Sequence, residues 1–201
     1  MLDGWAKSRI DPLMVVVATR VAAGGISANQ VTVASWVIGM AAAAAISLQW
    51  FWAGLALFLL NRMGDGLDGA IARLKGPTEL GGYLDIVLDF AVYGAVPLGF
   101  ILADPGVNAL AGAVLVVSFY VNGASFLAFS AIAARLGMET RVRGPKSIYY
   151  TTGLAEGTET ILFFILFCII PQWFAPLALV FAAMCFWTAF WRVLEARRLF
   201  R

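Results

Sequence analysis

Six apolar runs dominate the sequence, at residues 31–48, 51–74, 82–103, 107–135, 153–170 and 174–199. A bilayer core about 30 Å thick takes roughly 20 residues at 1.5 Å per residue. The first run is marginal by that measure, and the fourth is long enough to project beyond the lipid. Of the 201 residues, 62% are hydrophobic and 13% charged, against roughly 45–50% and about 25% in a soluble domain. The sequence therefore predicts an all-α integral membrane protein with six transmembrane helices, forming a single membrane-embedded domain over residues 1–201.

The charges orient it. The connections near Gln49–Trp50, Asp104–Gly106 and Pro171–Trp173 carry no Lys or Arg. Lys7, Arg9 and Arg20, then Arg73 and Lys75, then Arg135, Arg141, Arg143 and Lys146, and finally Arg192, Arg197, Arg198 and Arg201 all fall at the other face. Only Arg62 stands inside a span. Positive charge collects on the cytoplasmic side, which predicts cytoplasmic termini. Residues 1–26 read as an interfacial segment. Leu2, Trp5, Ile10 and Leu13, with Lys7 and Arg9 between them, form an amphipathic pattern suited to the membrane surface. Asp3, Asp11 and the short apolar run 13–18 argue against a cleavable signal.

The absence of histidine excludes Ser-His-Asp and Cys-His hydrolases, His-ligated zinc or haem, and lipid hydrolysis through a histidine nucleophile. Cys168 and Cys185 lie in apolar runs and are expected to be core or lipid-facing residues. No nucleic-acid partner is expected.

The chemistry concentrates in NRMGDGLDGAIARLKGPTELGGYLDIVLD, residues 61–89. Asp65 and Asp68 are three apart and share a helix face; Asp85 and Asp89 are four apart and share another. Across a short turn near Pro77 the pairs fall at matching depths. An aspartate at a membrane-helix centre costs about 2.5–3.5 kcal/mol, so such residues are functional by default. Carboxylates without His or Cys suit Mg²⁺ or Mn²⁺. Four of them suit two metals about 3.5–4 Å apart, a centre fit for phosphoryl transfer. The plainer alternative is a set of buried ion pairs or protonated acids joining helices. Gly64, Gly66, Gly69, Gly81 and Gly82 fit close helix packing or room for a bulky polar ligand, and Arg73 could hold a phosphate bidentately.

Asp65, Asp68, Gly69, Ala72, Arg73, Gly81, Asp85 and Asp89 fill every fixed position of the pattern D-x-x-D-G-x-x-A-R followed by G-x-x-x-D-x-x-x-D. The chain thereby resembles the CDP-alcohol phosphotransferase family, and its six-span layout with an interfacial N-terminal helix is similar over the whole length. The gap from Arg73 to Gly81 is one residue shorter than the commonest spacing. Ser27–Thr32 resembles the family's P-N-x-x-T stretch, with Ala28 in place of proline.

The resemblance implies that a CDP-linked alcohol places its diphosphate on two divalent cations, Mg²⁺ or Mn²⁺. Asp65, Asp68 and Asp85 would hold one and Asp65, Asp85 and Asp89 the other. Asp89 would also serve as general base, and Asn29, Thr32, Asp68, Gly69, Ala72 and Arg73 would line the CDP moiety. An acceptor hydroxyl attacks the phosphorus distal to cytidine and CMP leaves. A homodimer in the bacterial inner membrane, its active site facing the cytoplasm, is likewise implied.

CDP-diacylglycerol is the expected donor, given the extreme apolarity; a CDP-aminoalcohol used with diacylglycerol is the runner-up. Arg141, Arg143 and Lys146 are either topology determinants that touch anionic lipid or a pocket for a phosphorylated acceptor of the glycerol 3-phosphate type. Glu156 and Glu159 could cap the fifth span, bond neighbouring helices or contact acceptor hydroxyls. Asn29 and Thr32 could instead be N-caps. A transporter that couples cations or protons to membrane carboxylates is the different-class alternative. Its site would lie near the midplane and between repeats, whereas these acids crowd one face and no repeat is visible.

Overall fold

The computed structural model describes residues 14–138 and 154–200. The proposed N-terminal amphipathic pattern (Leu2 to Leu13), together with Arg141, Arg143 and Lys146, lies outside them. The described chain is helical, with no strand among the described residues. A short helix α1, Met14–Ala23, leads into α2 (Ala28–Ser47), α3 (Phe51–Lys75), α4 (Glu79–Ala103), α5 (Pro105–Arg135), α6 (Gly157–Ile169) and α7 (Phe174–Leu199). A 3-10 turn over Pro171–Trp173 precedes α7.

Helices α2, α4, α5 and α7 are long and apolar enough to cross a membrane. Helix α3 matches them in length, at 25 residues, but carries Arg62, Asp65 and Asp68 in its interior. Helix α6 covers 13 residues, about 20 Å of rise, and is shorter than the expected run 153–170. Its start is pinned: the backbone N–H groups of Leu154 and Ala155 both donate to Thr188 Oγ1 on α7, at 3.1 and 3.0 Å. Glu156 N–H then donates to Glu159 Oε2 at 3.2 Å, an N-terminal cap. Pro171 prevents continuation at the far end.

The caps are local consequences of sequence. Ser27 Oγ accepts from Gln30 N–H at 3.3 Å while Gln30 Oε1 accepts from Ser27 N–H at 2.9 Å. The cap of α2 is therefore Ser27, and Asn29 and Thr32 are left inside the helix. Thr78 Oγ1 accepts from Gly81 N–H at 3.0 Å and starts α4. Gln49 turns the chain between α2 and α3 with φ 64°, and its amide donates to Ala103 O at 2.8 Å.

Helix α2 packs on both α3 and α4, while α3 and α4 barely approach each other. A simple α3–α4 hairpin is thus replaced by a three-helix arrangement with α2 as the shared wall. Toward the Gln49 and Asp104 ends, the space between helices is filled by Phe58, Phe100, Phe164, Phe167, Phe174 and Phe181, all buried. Phe100 stacks on Phe174 with centroids 4.6 Å apart, and Phe163 on Phe181 at 4.4 Å. At the other end α1 lays Met14 and Ala18 against Leu67, Ala70 and Ile71 of α3.

Candidate active site

A small pocket opens where α2, α3 and α4 meet. Thr32, Ser35 and Trp36 of α2 form one wall, and Asn61, Asp65 and Asp68 of α3 a second. Asp85, Leu88, Asp89 and Val92 of α4 form the third. One carboxylate oxygen each from Asp65, Asp68 and Asp85 lies within 4.8 Å of the others. Asp68 is 5% exposed, and its Oδ2 is buried without a hydrogen-bond partner. A buried carboxylate oxygen left unsatisfied is costly. Three hard oxygen donors converging on one point, with one buried acceptor unpaired, fit a divalent cation such as Mg²⁺ or Mn²⁺. The indole N–H of Trp36 is also buried and unpartnered in the same cavity wall. Nothing in the sequence pattern singles it out.

Asp89 lines the cavity but stands outside this trio. Arg62 takes it instead: Nη2 is 2.7 Å from Oδ1 and Nη1 is 3.4 Å from Oδ2. The same guanidinium is 3.6 Å from Asp65. The sequence shows Arg62 only as the one basic residue inside a span, and its partner Asp89 lies 27 residues away. Only the fold brings the two together.

The glycines divide between both of their expected uses. A side chain at Gly64 would collide with Ser35, so this glycine lets α3 close on α2. A Cβ at Gly69 would meet only Arg73 Nη1, at 3.6 Å, which leaves open space beside the Arg73 guanidinium. Arg73 is exposed and Ala72 half-buried on the last turns of α3. Thr32 is buried and lines the cavity; its hydroxyl donates to Ala28 O at 3.0 Å. Asn29 lies against Gly81 at the start of α4, just outside the cavity lining.

Of the acceptor candidates, Glu156 and Glu159 are joined at the cap of α6. A buried arginine appears where the sequence suggested only a surface charge. Arg192 on α7 is 7% exposed and donates to Asn122 O, Asn122 Oδ1 and Ser125 Oγ on α5, at 3.0, 2.9 and 2.6 Å. Asn122 thus accepts an interhelical hydrogen bond within the membrane-spanning bundle.

The chain is similar in sequence and in fold to known proteins. The family model for CDP-alcohol phosphatidyltransferase matches residues 25–191. The chain is 47% identical over 193 residues to inner membrane protein YnjF of Escherichia coli strain K12, covering 96% of this chain and 94% of that protein. Its fold is similar to the crystal structure of Mycobacterium tuberculosis phosphatidylinositol phosphate synthase with CDP-DAG bound, with TM-score 0.74, 20% identity, and 91% and 92% of the two chains covered. The structure of that synthase with manganese and citrate gives TM-score 0.75 at 19% identity, covering 92% of this chain and 88% of that one.

Proposed function

This chain belongs to the CDP-alcohol phosphatidyltransferase family, and from that premise we propose that it transfers a phosphatidyl group from CDP-diacylglycerol to an alcohol, releasing CMP, in phospholipid synthesis. The observation that carries the reading is the convergence of Asp65, Asp68 and Asp85 within 4.8 Å, with Asp68 Oδ2 buried and unpaired. The likeness to a synthase crystallised with CDP-DAG, and separately with manganese, supports the donor and the metal class.

Asp65, Asp68 and Asp85 would hold divalent cations, two in the full complex, with Asp89 contributing to the second. Bound there, Mg²⁺ or Mn²⁺ supplies Lewis-acid stabilisation of the charge that grows on the diphosphate. The residues of the chain do the rest. Asn29, Thr32, Asp68, Gly69, Ala72 and Arg73 hold the CDP moiety, and Gly69 leaves the space for it beside Arg73. Asp89 takes the proton from the acceptor hydroxyl. The hydroxyl oxygen forms a bond to the phosphorus distal to cytidine, the bond to the bridging oxygen breaks, and CMP departs with that oxygen.

The acceptor is a small phosphorylated alcohol of the glycerol 3-phosphate or inositol phosphate type. Arg141, Arg143 and Lys146 would bind its phosphate, with Glu156 and Glu159 nearby in sequence. The protein would work as a homodimer in the bacterial inner membrane with this site toward the cytoplasm. The resemblance of the chain to an inner membrane protein supports that location.

The test is CMP release by purified protein with CDP-diacylglycerol and a panel of glycerol 3-phosphate, inositol 1-phosphate, inositol, serine and phosphatidylglycerol. Metal-dependent release with a phosphorylated acceptor is expected, and release only with an uncharged or amino acceptor overturns the acceptor class. For orientation, Asp104→Cys should react with a membrane-impermeant thiol reagent from the periplasm; labelling from the cytoplasm alone contradicts it.

A further inference from the structure

Among the described residues, two buried side-chain polar atoms have no hydrogen-bond partner, Asp68 Oδ2 and Trp36 Nε1. Both residues line the pocket where α2, α3 and α4 meet. The two atoms need opposite partners. A carboxylate oxygen is satisfied by a cation, whereas an indole N–H can only donate and needs an acceptor oxygen. Leaving either unpaired is costly. The indole N–H stays unmatched although Asp65, Asp85 and Asp89 line the same pocket. The neutral amide of the wall is engaged at both ends: Asn61 Oδ1 accepts from Arg62 Nε and Asn61 Nδ2 donates to Ser35 O, each at 2.8 Å. A ligand that brings a divalent cation and anionic oxygens together satisfies both atoms. A bare cation answers only the carboxylate.

The depth of the indole says which oxygens. Helices α2 and α4 run side by side in the same direction, since a Cβ at Gly81 would meet Asn29 and a Cβ at Gly39 would meet Val92. Trp36 stands three residues before Gly39, and Asp89 three before Val92. The indole and Asp89 therefore share a level, about one turn beyond Thr32 as counted from the Asn29 end. With the CDP moiety held by Asn29, Thr32, Gly69 and Arg73, the group that reaches this level is the phosphate distal to cytidine.

We propose that Trp36 Nε1–H donates to a non-bridging oxygen of that phosphate, an assignment that rests on the phosphatidyl-transfer reading above. This is the phosphoryl group to which the acceptor oxygen bonds as the bridging oxygen leaves with CMP. The ring of Trp36 packs on the buried core, so the donor is held in place. A fixed N–H in a water-poor wall stabilises charge on the reacting group without reorganising.

CMP and CDP differ by that one phosphate, which gives the test. Mn²⁺-loaded protein is titrated calorimetrically with each nucleotide, in the parent and in Trp36→Phe, which keeps an aromatic ring and removes the donor. CDP affinity should fall about tenfold, as for a lost hydrogen bond to a charged acceptor, with CMP and Mn²⁺ affinities within about twofold of the parent. Trp36→benzothienylalanine, which replaces the N–H by sulfur in a ring of nearly the same shape, should give the same result and carries the test if Trp36→Phe does not fold. In turnover, kcat/KM for CDP-diacylglycerol should fall about thirtyfold.

Unchanged CDP affinity in both variants would overturn the proposal. So would equal losses for CMP and CDP, because the indole would then shape the nucleotide pocket and not hold the distal phosphate. A matching loss of Mn²⁺ affinity would assign the N–H to the cation's own water and overturn it too. Failure of the parent protein itself to bind CDP with Mn²⁺ would overturn the phosphatidyl-transfer reading and this proposal with it, whereas an effect missing only from the variants leaves that reading standing.

Discussion

Phe58 and Asp65 lie about two turns apart on α3, and the bundle surrounds them in opposite ways. Around Phe58 the helices close completely: Phe164 tilts against it at 5.3 Å, and Phe100, Phe167 and Phe174 continue the packing. Around Asp65 the same helices part and leave a cavity. Lipid tails are as apolar as phenylalanine, so packing shape rather than water avoidance holds a membrane bundle together. The aromatic end supplies that fit. The acidic end is held open by α2, whose Ser35 closes on Gly64 of α3 while Gly39 of the same helix meets Val92 of α4. The rigid half lets the other half keep converging carboxylates in place before any ligand arrives, which is the preorganisation electrostatic catalysis needs.

This contrast can be broken at either end. Asp68→Asn should reduce turnover about 10³-fold, roughly 4 kcal/mol of barrier, and leave the thermal midpoint in detergent near that of the parent. A large fall in midpoint with activity per folded molecule intact would mean that the acid is structural. Phe100→Ala should do the reverse. Loss of a fully buried ring costs about 3 kcal/mol, read as a lowered midpoint, with KM for CDP-diacylglycerol unchanged.

Gly64→Val tests the wall shared by the two regions. Its side chain meets Ser35, and overpacking of this kind costs about 2 kcal/mol. Both the midpoint and Mn²⁺ binding should suffer, because α3 would move with its aspartates; a change in neither would show that α2 is free to yield. The smallest effect belongs to Glu159→Ala. Loss of its bond to Glu156 N–H should cost about 1 kcal/mol of stability with kcat retained. A raised acceptor KM at unchanged stability would instead assign Glu159 to the acceptor.

Much of this was legible beforehand because it is local. Asp65, Asp68, Asp85 and Asp89 stand at fixed spacings within apolar runs, and the cost of a membrane carboxylate makes them informative without any fold. Glu156 and Glu159 show the i, i+3 spacing of a cap, which was among the readings weighed for them. Periodicity could not reveal that α2 packs against both α3 and α4, since it reports each helix's own pattern and not its neighbours. For the same reason the pairing of Arg62 with Asp89 and that of Arg192 with Asn122 were invisible. These partners are 27 and 70 residues apart, and charge counting placed Arg192 at a surface it does not occupy.

The central claim is that the acidic end is a metal-dependent centre for phosphatidyl transfer. Its most direct test is CMP release from CDP-diacylglycerol by purified protein stripped with EDTA and then resupplied with Mn²⁺ or Mg²⁺, with glycerol 3-phosphate and inositol 1-phosphate as acceptors. The account predicts no release from stripped protein, full recovery with either cation, and no recovery in Asp68→Asn. Release that survives complete removal of metal, or that recovers equally in Asp68→Asn, would contradict it.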